Sequence, residues 1–381
     1  MEIRSFTINV PQTTLDDLRN RLTHTRWPDE VENAAWDYGT NYGYMKSIVD
    51  YWLHMFDWRA QEERLNQFAH FRTDIDDFGI HFIHERGRGP NPLPLIITHG
   101  WPGSFFEMHK ILPLLTDPAS HGGDPADAFD VIVPSLPGYG FSDRPAVRGI
   151  STMQTAELWA RLMTEGLGYT RFAAAGGDIG AGVTQRLALA HPDLLAGIHL
   201  NFLGSSLLSS EQPDLSEEEK RYLRAMQQWS MQEGAYAHLH STKPQTLAYS
   251  LNDSPIGLAA WIIEKFRAWS DCAGEIERRF SKDELLTNIM IYWVTETIPS
   301  SIRMYYENAR ALSPLKPGEH IEVPAGFARF PKEIGLPPRT WAERSLRIQH
   351  WTEMPRGGHF AALEEPELLA EDLRSFFRPL R

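Results

Sequence analysis

Phe172-Ala173-Ala174-Ala175-Gly176-Gly177-Asp178-Ile179-Gly180 reads as a short apolar strand that stops at glycines and turns directly into a helix running to about Ala190. Outward from it the same alternation repeats. On the N-terminal side, Ile80 to Glu85 alternates with a period of two, and Leu95-Ile96-Ile97-Thr98 is an apolar run ending before His99-Gly100-Trp101-Pro102-Gly103. A helix-like Phe105 to Leu115 follows, and then the buried strand Val131-Ile132-Val133, which ends in the turn-rich stretch Pro134 to Ser142. A helix bearing Leu158 and Leu162 stops near Gly166 and Gly168; beyond the quoted stretch, Ile198-His199-Leu200 is another strand. Short apolar strands alternating with helices predict an α/β architecture with a mostly parallel central sheet covered on both faces.

Two regions depart from this alternation. Thr14 to Leu22 reads as a capped helix, with a threonine at its start, acids in the first turn, and Leu15, Leu18 and Leu22 on one face. From there to about residue 70 the chain is rich in aromatics, including Trp27, Trp36, Tyr44, Trp52 and Trp58. No cluster of acids, bases or ligands accompanies them, so they read as residues that wrap and pack on a larger body. Between about 204 and 312, helical patterns at Glu217 to Glu233, Ile256 to Phe266 and Asp283 to Thr295 follow one another without a strand. Strands resume at Ile321-Glu322-Val323 and Leu346-Arg347-Ile348, and an amphipathic helix with Leu369, Leu373 and Phe376 closes the chain. The expected organisation is an N-terminal meander over 1–75, a sheet core in two parts over 76–203 and 313–381, and a helical lid over 204–312.

The 37 basic and 50 acidic residues give a formal charge of −13, which argues against nucleic acid as a partner. A single cysteine, Cys272, excludes an intrachain disulfide and any CxxC site. The first residues, Met1 to Phe6, lack the basic start and apolar run of a signal peptide, and no stretch reaches about 18 apolar residues. The expectation is a soluble, cytoplasmic protein without a membrane partner.

The spacing G-x-D-x-G around Asp178 is that of a strained strand-to-helix turn which, in serine hydrolases, lifts the nucleophile above the sheet. An aspartate there is already ionised at neutral pH and can attack a saturated electrophilic carbon without a base to activate it. A capping aspartate in a glycine-rich turn is the plainer alternative. The company it keeps decides between them. His359 sits in Gly357-Gly358-His359-Phe360 after the last strand, where the nucleophile–acid–histidine order places a base. The third member is an acid within Glu322 to Glu333. The backbone N–H groups of Trp101 and Ile179 are placed to form an oxyanion hole. His81, His84, His191 and His199 have no such context and read as structural, and His81-x-x-His84-Glu85 in a strand matches no zinc-protease motif, so no metal site is expected.

With these motifs in place, the sequence resembles the microsomal-type epoxide hydrolases over essentially its whole length. The residues that carry the resemblance are Trp27-Pro28, Trp52 and Phe56-Asp57-Trp58; His99-Gly100-Trp101-Pro102-Gly103-Ser104; Gly176-Gly177-Asp178; Asn252 to Leu258; Phe330-Pro331-Lys332-Glu333; and Arg356 to Ala362 with Glu364-Glu365-Pro366-Glu367. The resemblance implies the alpha/beta-hydrolase fold with a helical lid, and epoxide hydrolysis without a cofactor or metal. It implies that Asp178 is the nucleophile, His359 the base that activates water and Glu333 the acid that orients it, with Glu322 the runner-up. It also implies two lid tyrosines, Tyr236 and Tyr305, that donate to the epoxide oxygen; Tyr306 is the rival of Tyr305, since neighbours on a regular segment cannot both face the pocket. Haloalkane dehalogenases are similar in using an aspartate on this fold but place a tryptophan after it, where this chain has Ile179. A dehalogenase, or a catalytically silent protein of this fold that binds a ligand, is the alternative reading. The expected partners are a small apolar epoxide and water, with a homodimer supported by the N-terminal segment. Lid aromatics Trp261, Phe266 and Trp293 fit an apolar cavity and core packing equally well.

Overall fold

The computed structural model describes residues 1–76, 78–203, 208, 212–311, 315 and 319–381. At the expected edges of the lid, 203/204 and 312/313, residues 204, 312 and 313 lie outside the described ones. Among the described residues the chain forms β1 (Ile3–Ser5), α1 (Gln12–Thr23), α2 (Tyr42–His54), α3 (Trp58–Leu65), β2 (His70–Ile75), β3 (Phe78–Glu85), β4 (Leu93–Thr98), α4 (Ile111–Thr116), β5 (Phe129–Pro134), α5 (Thr152–Arg161), β6 (Phe172–Gly176), α6 (Asp178–Ala190) and β7 (Leu195–Leu200). Six helices follow: α7 (Glu217–Glu233), α8 (Ala235–Thr242), α9 (Pro244–Asp253), α10 (Pro255–Trp269), α11 (Lys282–Thr295) and α12 (Ile298–Ala311). The chain then completes the sheet with β8 (Ile321–Arg329), α13 (Arg339–Ala342), β9 (Leu346–Glu353), α14 (Ala361–Glu364) and α15 (Pro366–Phe377).

The strands lie in one sheet in the order β1-β2-β3-β5-β4-β6-β7-β8-β9. The ribbon from β1 to β5 is antiparallel, and every pairing from β5 through β4 to β9 is parallel. β5, β6 and β7 are buried at every residue, which is why their sequences are mostly apolar rather than alternating: helices cover both faces. The parallel order brings the C-terminal ends of β4, β6 and β8 to one edge of the sheet, where loops can converge on a site.

Several local expectations change. α1 starts at Gln12, with Pro11 before it and no side-chain cap; Thr14 therefore lies inside the first turn, and the proline's fixed φ sets the entry instead. The segment Phe105 to Leu115 divides into a short 3₁₀ turn at Phe105–Met108 and the helix α4. Pro113 explains the division, because it lacks the N–H that would bond the carbonyl of His109 in a continuous helix. β8 and β9 run further than Ile321–Val323 and Leu346–Ile348 suggest, since Pro324 and Gly326 hide the continuation of β8. The first 75 residues also supply β1 and β2 to the sheet, in addition to the three helices that pack on the rest.

Those three helices lie against the six-helix insertion. Thr40 Oγ1 donates to the Ala260 carbonyl at 2.8 Å, Tyr51 Oη to Asp283 Oδ1 at 3.0 Å, and Arg21 Nη1 to Asp253 Oδ1 at 2.7 Å. The Arg267 guanidinium stands 4.4 Å from the centre of the Trp36 ring, and Trp52 and Trp58 are buried. No described helix is long and apolar enough to cross a membrane.

At the other side of the sheet, buried Asp372 on α15 accepts from His199 Nε2 and His350 Nε2, each at 2.7 Å, and from Thr352, tying β7, β9 and α15 together. Burial opposes ionisation of Asp372, but the bond and charge of His199, then Thr352 and His350, bring it down to about 2. Because its folded-state value lies below the ordinary 3.8, its stabilisation is present above that value and is lost as pH falls towards 2. We expect Asp372→Ala to lower stability by about 3–5 kcal/mol at neutral pH and to make stability less steep in pH below 4; denaturant titrations at a series of pH values measure both.

Candidate active site

The turn between β6 and α6 determines where the first functional side chain points. Asp178 has φ of +48°, a left-handed conformation disfavoured for a residue with a Cβ. It is held there because the first turn of α6 is seated on the end of β4. A Cβ on Gly180 would lie 2.0 Å from the Thr98 carbonyl oxygen, so only glycine allows this approach. Gly100 plays the same part on the opposite wall: a Cβ there would lie 2.3 Å from Asp178 Oδ1. With both gaps open, the carboxylate rests against the loop after β4, and the Trp101 N–H donates to Asp178 Oδ1 at 2.8 Å. Ile179 follows in the first turn of α6, where backbone N–H groups have no partner within the helix and can face an anion.

His359 arrives from the loop after β9. Its backbone N–H bonds the Trp269 carbonyl at 2.9 Å, and the loop pairs with the chain after β8 through a bridge between Lys332 and Gly358. That bridge brings Glu333 beside the imidazole, with His359 Nδ1 and Glu333 Oε1 2.6 Å apart. The same carboxylate oxygen accepts from Ile334 N–H at 2.6 Å. The other edge of the ring points at Asp178, His359 Nε2 lying 3.6 Å from Asp178 Oδ2. Glu364 fixes the next residue, accepting from Phe360 N–H at 3.0 Å and from Asp271 N–H at 2.8 Å.

The electrostatics follow from burial. Desolvation alone would lower His359, but the charge of Glu333 and the bond to Asp178 outweigh it and hold the imidazole well above its usual range. Glu333 is raised by burial, against the pull of His359.

Tyr236, on α8, stacks on the Trp101 indole with ring centres 5.3 Å apart and planes 12° from parallel. Tyr305, on α12, stands edge-on to both Tyr236 and Trp101, with centres 6.0 Å away in each case. The structure thus brings Asp178, His359, Glu333, Trp101, Tyr236 and Tyr305 to one place. Tyr306 turns elsewhere, its ring covered by Arg310 at 3.3 Å. Glu322 is exposed on β8 and pairs with His320, away from His359.

Residues 3–108 match the family profile described as "Epoxide hydrolase N terminus", and residues 94–260 the profile "alpha/beta hydrolase fold". The chain is 47% identical over 383 residues to a protein of Stigmatella aurantiaca provisionally named an epoxide hydrolase, covering 100% of this chain and 86% of that one. It is 42% identical over 406 residues to epoxide hydrolase 1 of Oryctolagus cuniculus, covering 98% of this chain and 88% of that protein. The chain belongs to the epoxide hydrolase family. A solved epoxide hydrolase of Aspergillus niger superposes with a TM-score of 0.86 at 31% identity, covering 100% of this chain and 97% of that one.

Two groups in this epoxide hydrolase escaped the sequence reading. Glu107 lies in the 3₁₀ turn after the His99-Gly100-Trp101-Pro102 loop and lines a cavity of about 30 Å³ with Asp178, Asn201 and His359, enough room for a water molecule. Burial raises its carboxyl to about 8, opposed by His359 and reinforced by Asp178. Its carboxyl therefore favours the neutral form near neutral pH. The signal available was a lone acid inside the apolar run Phe105-Phe106-Glu107-Met108. Lys265, buried in α10, interrupts another apolar run in the same way.

The remaining candidates are placed as packing or polar partners. His81 joins His70 and Ser135, His84 reaches Tyr169, and His191 reaches Glu157. Phe266 stacks on Phe360 at 4.0 Å, Trp293 faces Arg21, and Trp261 donates to His240. Cys272 is buried, its thiol against the Arg267 carbonyl. Among the described residues no group of three or more His, Cys, Asp or Glu side chains is arranged to hold a metal ion.

Gly100→Ala tests the seat of the Asp178 carboxylate. Its methyl group would displace the Asp178 carboxylate by about 1 Å, and misplacement on that scale lowers activity roughly a hundredfold. We expect that loss in kcat for epoxide hydrolysis with an unchanged circular dichroism spectrum.

Proposed function

We propose that this chain converts an epoxide and water to a vicinal diol through a glycol ester on Asp178. One observation carries the reading: the two oxygens of a single carboxylate have separate partners, the Trp101 amide on Oδ1 and the His359 imidazole on Oδ2, and the rings of Tyr236 and Tyr305 pack against the same Trp101.

In the first step an Asp178 oxygen forms a bond to a ring carbon as that carbon's bond to the epoxide oxygen breaks. The electron pair goes to the departing oxygen, which takes a proton from the Tyr236–Tyr305 pair. Negative charge has then moved from Asp178 to the phenols. Ester formation also removes one of the two carboxylates that hold His359 protonated, so the imidazole gives up its proton and the phenol is restored. In the second step neutral His359, held by Glu333, takes a proton from water. The oxygen of that water attacks the ester carbonyl, and the Trp101 and Ile179 amides receive the oxyanion. Collapse breaks the bond between the carbonyl carbon and the glycol oxygen, which takes the remaining proton of that water; the diol leaves, and Asp178 is anionic beside protonated His359, as at the start. The cavity shared by Glu107, Asp178 and His359 has room for that water, and every other group required is supplied by the chain.

Two experiments test the reading. In a single turnover in heavy-oxygen water, label is expected first in Asp178 and only afterwards in the diol, and direct labelling of the diol would rule out the ester. His359→Gln is expected to accumulate the ester, seen as a mass increase equal to the substrate. Glu333→Gln removes a carboxylate that raises His359, so the imidazole becomes neutral at lower pH. The acidic limb of ester hydrolysis should therefore move to lower pH, while the plateau rate falls by roughly a hundredfold or more as the ring loses its orientation. Single-turnover decay of the ester against pH reads both effects.

A further inference from the structure

α10 carries Lys265 and Trp269 one turn apart on the same face. The Lys265 ammonium stands 4.8 Å from the centre of the Tyr236 ring and 5.7 Å from that of Trp269. Its side chain is 8% exposed and forms an ion pair with Glu264. Packing does not explain a cation here, since a methionine would fill the same space without the desolvation that a buried ammonium suffers.

The surroundings of Tyr236 otherwise resist negative charge. Burial raises its phenol, and the carboxylates of Asp178 and Glu264 add to this, while the hydroxyl of Tyr305 favours ionisation. Tyr305 is also raised by burial and by Tyr236, and the bond between the two hydroxyls lowers Tyr236 while it raises Tyr305, so of the pair Tyr236 is the better placed to carry charge. His240 on α8 is brought down to about 3 by burial and by Lys265 and is neutral. Among the described residues, the cation recorded over the Tyr236 ring is thus Lys265. An ammonium over an aromatic face is held weakly while the ring is a neutral phenol and much more strongly once it carries charge. That difference acts only as the reaction proceeds, which is the condition for accelerating it.

We propose that Lys265 is a positioning residue for ring opening, stabilising the negative charge that passes from Asp178 to Tyr236 as the epoxide oxygen takes the phenol proton. The inference rests on the two-step reaction proposed above. Lys265 touches no reacting atom; it acts through Tyr236, and Glu264 moderates it.

Styrene oxide is the probe. Ester formation is followed by quenched-flow mass spectrometry in the His359→Gln background, and ester hydrolysis with His359 intact. Lys265→Met is expected to slow ester formation at neutral pH by about tenfold or more and to reduce any transient phenolate absorbance, leaving ester hydrolysis within about twofold. Glu264→Gln removes the neutralising carboxylate and is expected to speed ester formation. In a Tyr236→Phe background Lys265→Met should cause no further loss. Equal losses in both half-reactions, unchanged ester formation, or the same loss without the Tyr236 hydroxyl would each overturn the proposal. Should Lys265→Met not fold, Lys265→Gln decides: slower ester formation with ester hydrolysis kept supports the role, and unchanged ester formation, or an equal loss in both half-reactions, overturns it. If no ester accumulates even with Lys265 present, the two-step reading fails and this inference falls with it, a result distinct from a defect confined to the Lys265 variant.

Discussion

The contact between the first turn of α6 and the end of β4 is the constraint around which the site is built. Gly180 must come close enough to touch the Thr98 carbonyl, and that closeness obliges Asp178 to take a left-handed conformation with its carboxylate above the sheet. A flatter turn would bury the carboxylate or point it along the helix, and the Trp101 amide would then have nothing to hold. The parallel sheet makes the contact possible by ending β4 and β6 side by side. The antiparallel ribbon of β1, β2 and β3 continues the sheet beyond β5.

A second theme is the management of negative charge in a small buried volume. Asp178, Glu333 and Glu107 surround one imidazole, and their environments separate them: Asp178 pairs with an amide and His359, Glu333 is committed to the imidazole, and Glu107 is held protonated by desolvation. Three like groups thus share one small volume in distinct environments, which keeps them from competing. The insertion contributes the phenols of Tyr236 and Tyr305 on one side, and in the proposed reaction these receive the charge that the carboxylate gives up.

Much of this was legible in the sequence, for physical reasons. The apolar runs at Leu95–Thr98, Val131–Val133 and Phe172–Ala175 announce buried strands because burial on both faces leaves no polar position to interrupt them, and glycine spacing around Asp178 encodes a turn that few other residues can make. Other features have no local code. β1 is three residues long, too short for a pattern, and β8 is hidden by its own proline and glycine. Glu107 and Lys265 owe their importance to what lies across from them, Asp178 in one case and Tyr236 in the other, and such pairings are set by the assembled fold. The choice between Tyr305 and Tyr306 likewise depends on which side of α12 faces Trp101, which is fixed only by the packing of that helix.

The contacts of the N-terminal segment also bear on how the chain is made. Arg21 and Asp253 are separated by 232 residues, as are Tyr51 and Asp283, and Thr40 meets Ala260 across 220. During synthesis the first helices therefore emerge long before the surfaces that cover Trp36 and its neighbours exist. Their aromatic faces wait until α10 and α11 have left the ribosome, and closure over such separations is slow. The beginning of the chain is consequently among the last parts to be sealed, and a newly made molecule carries an adhesive apolar strip for most of its translation.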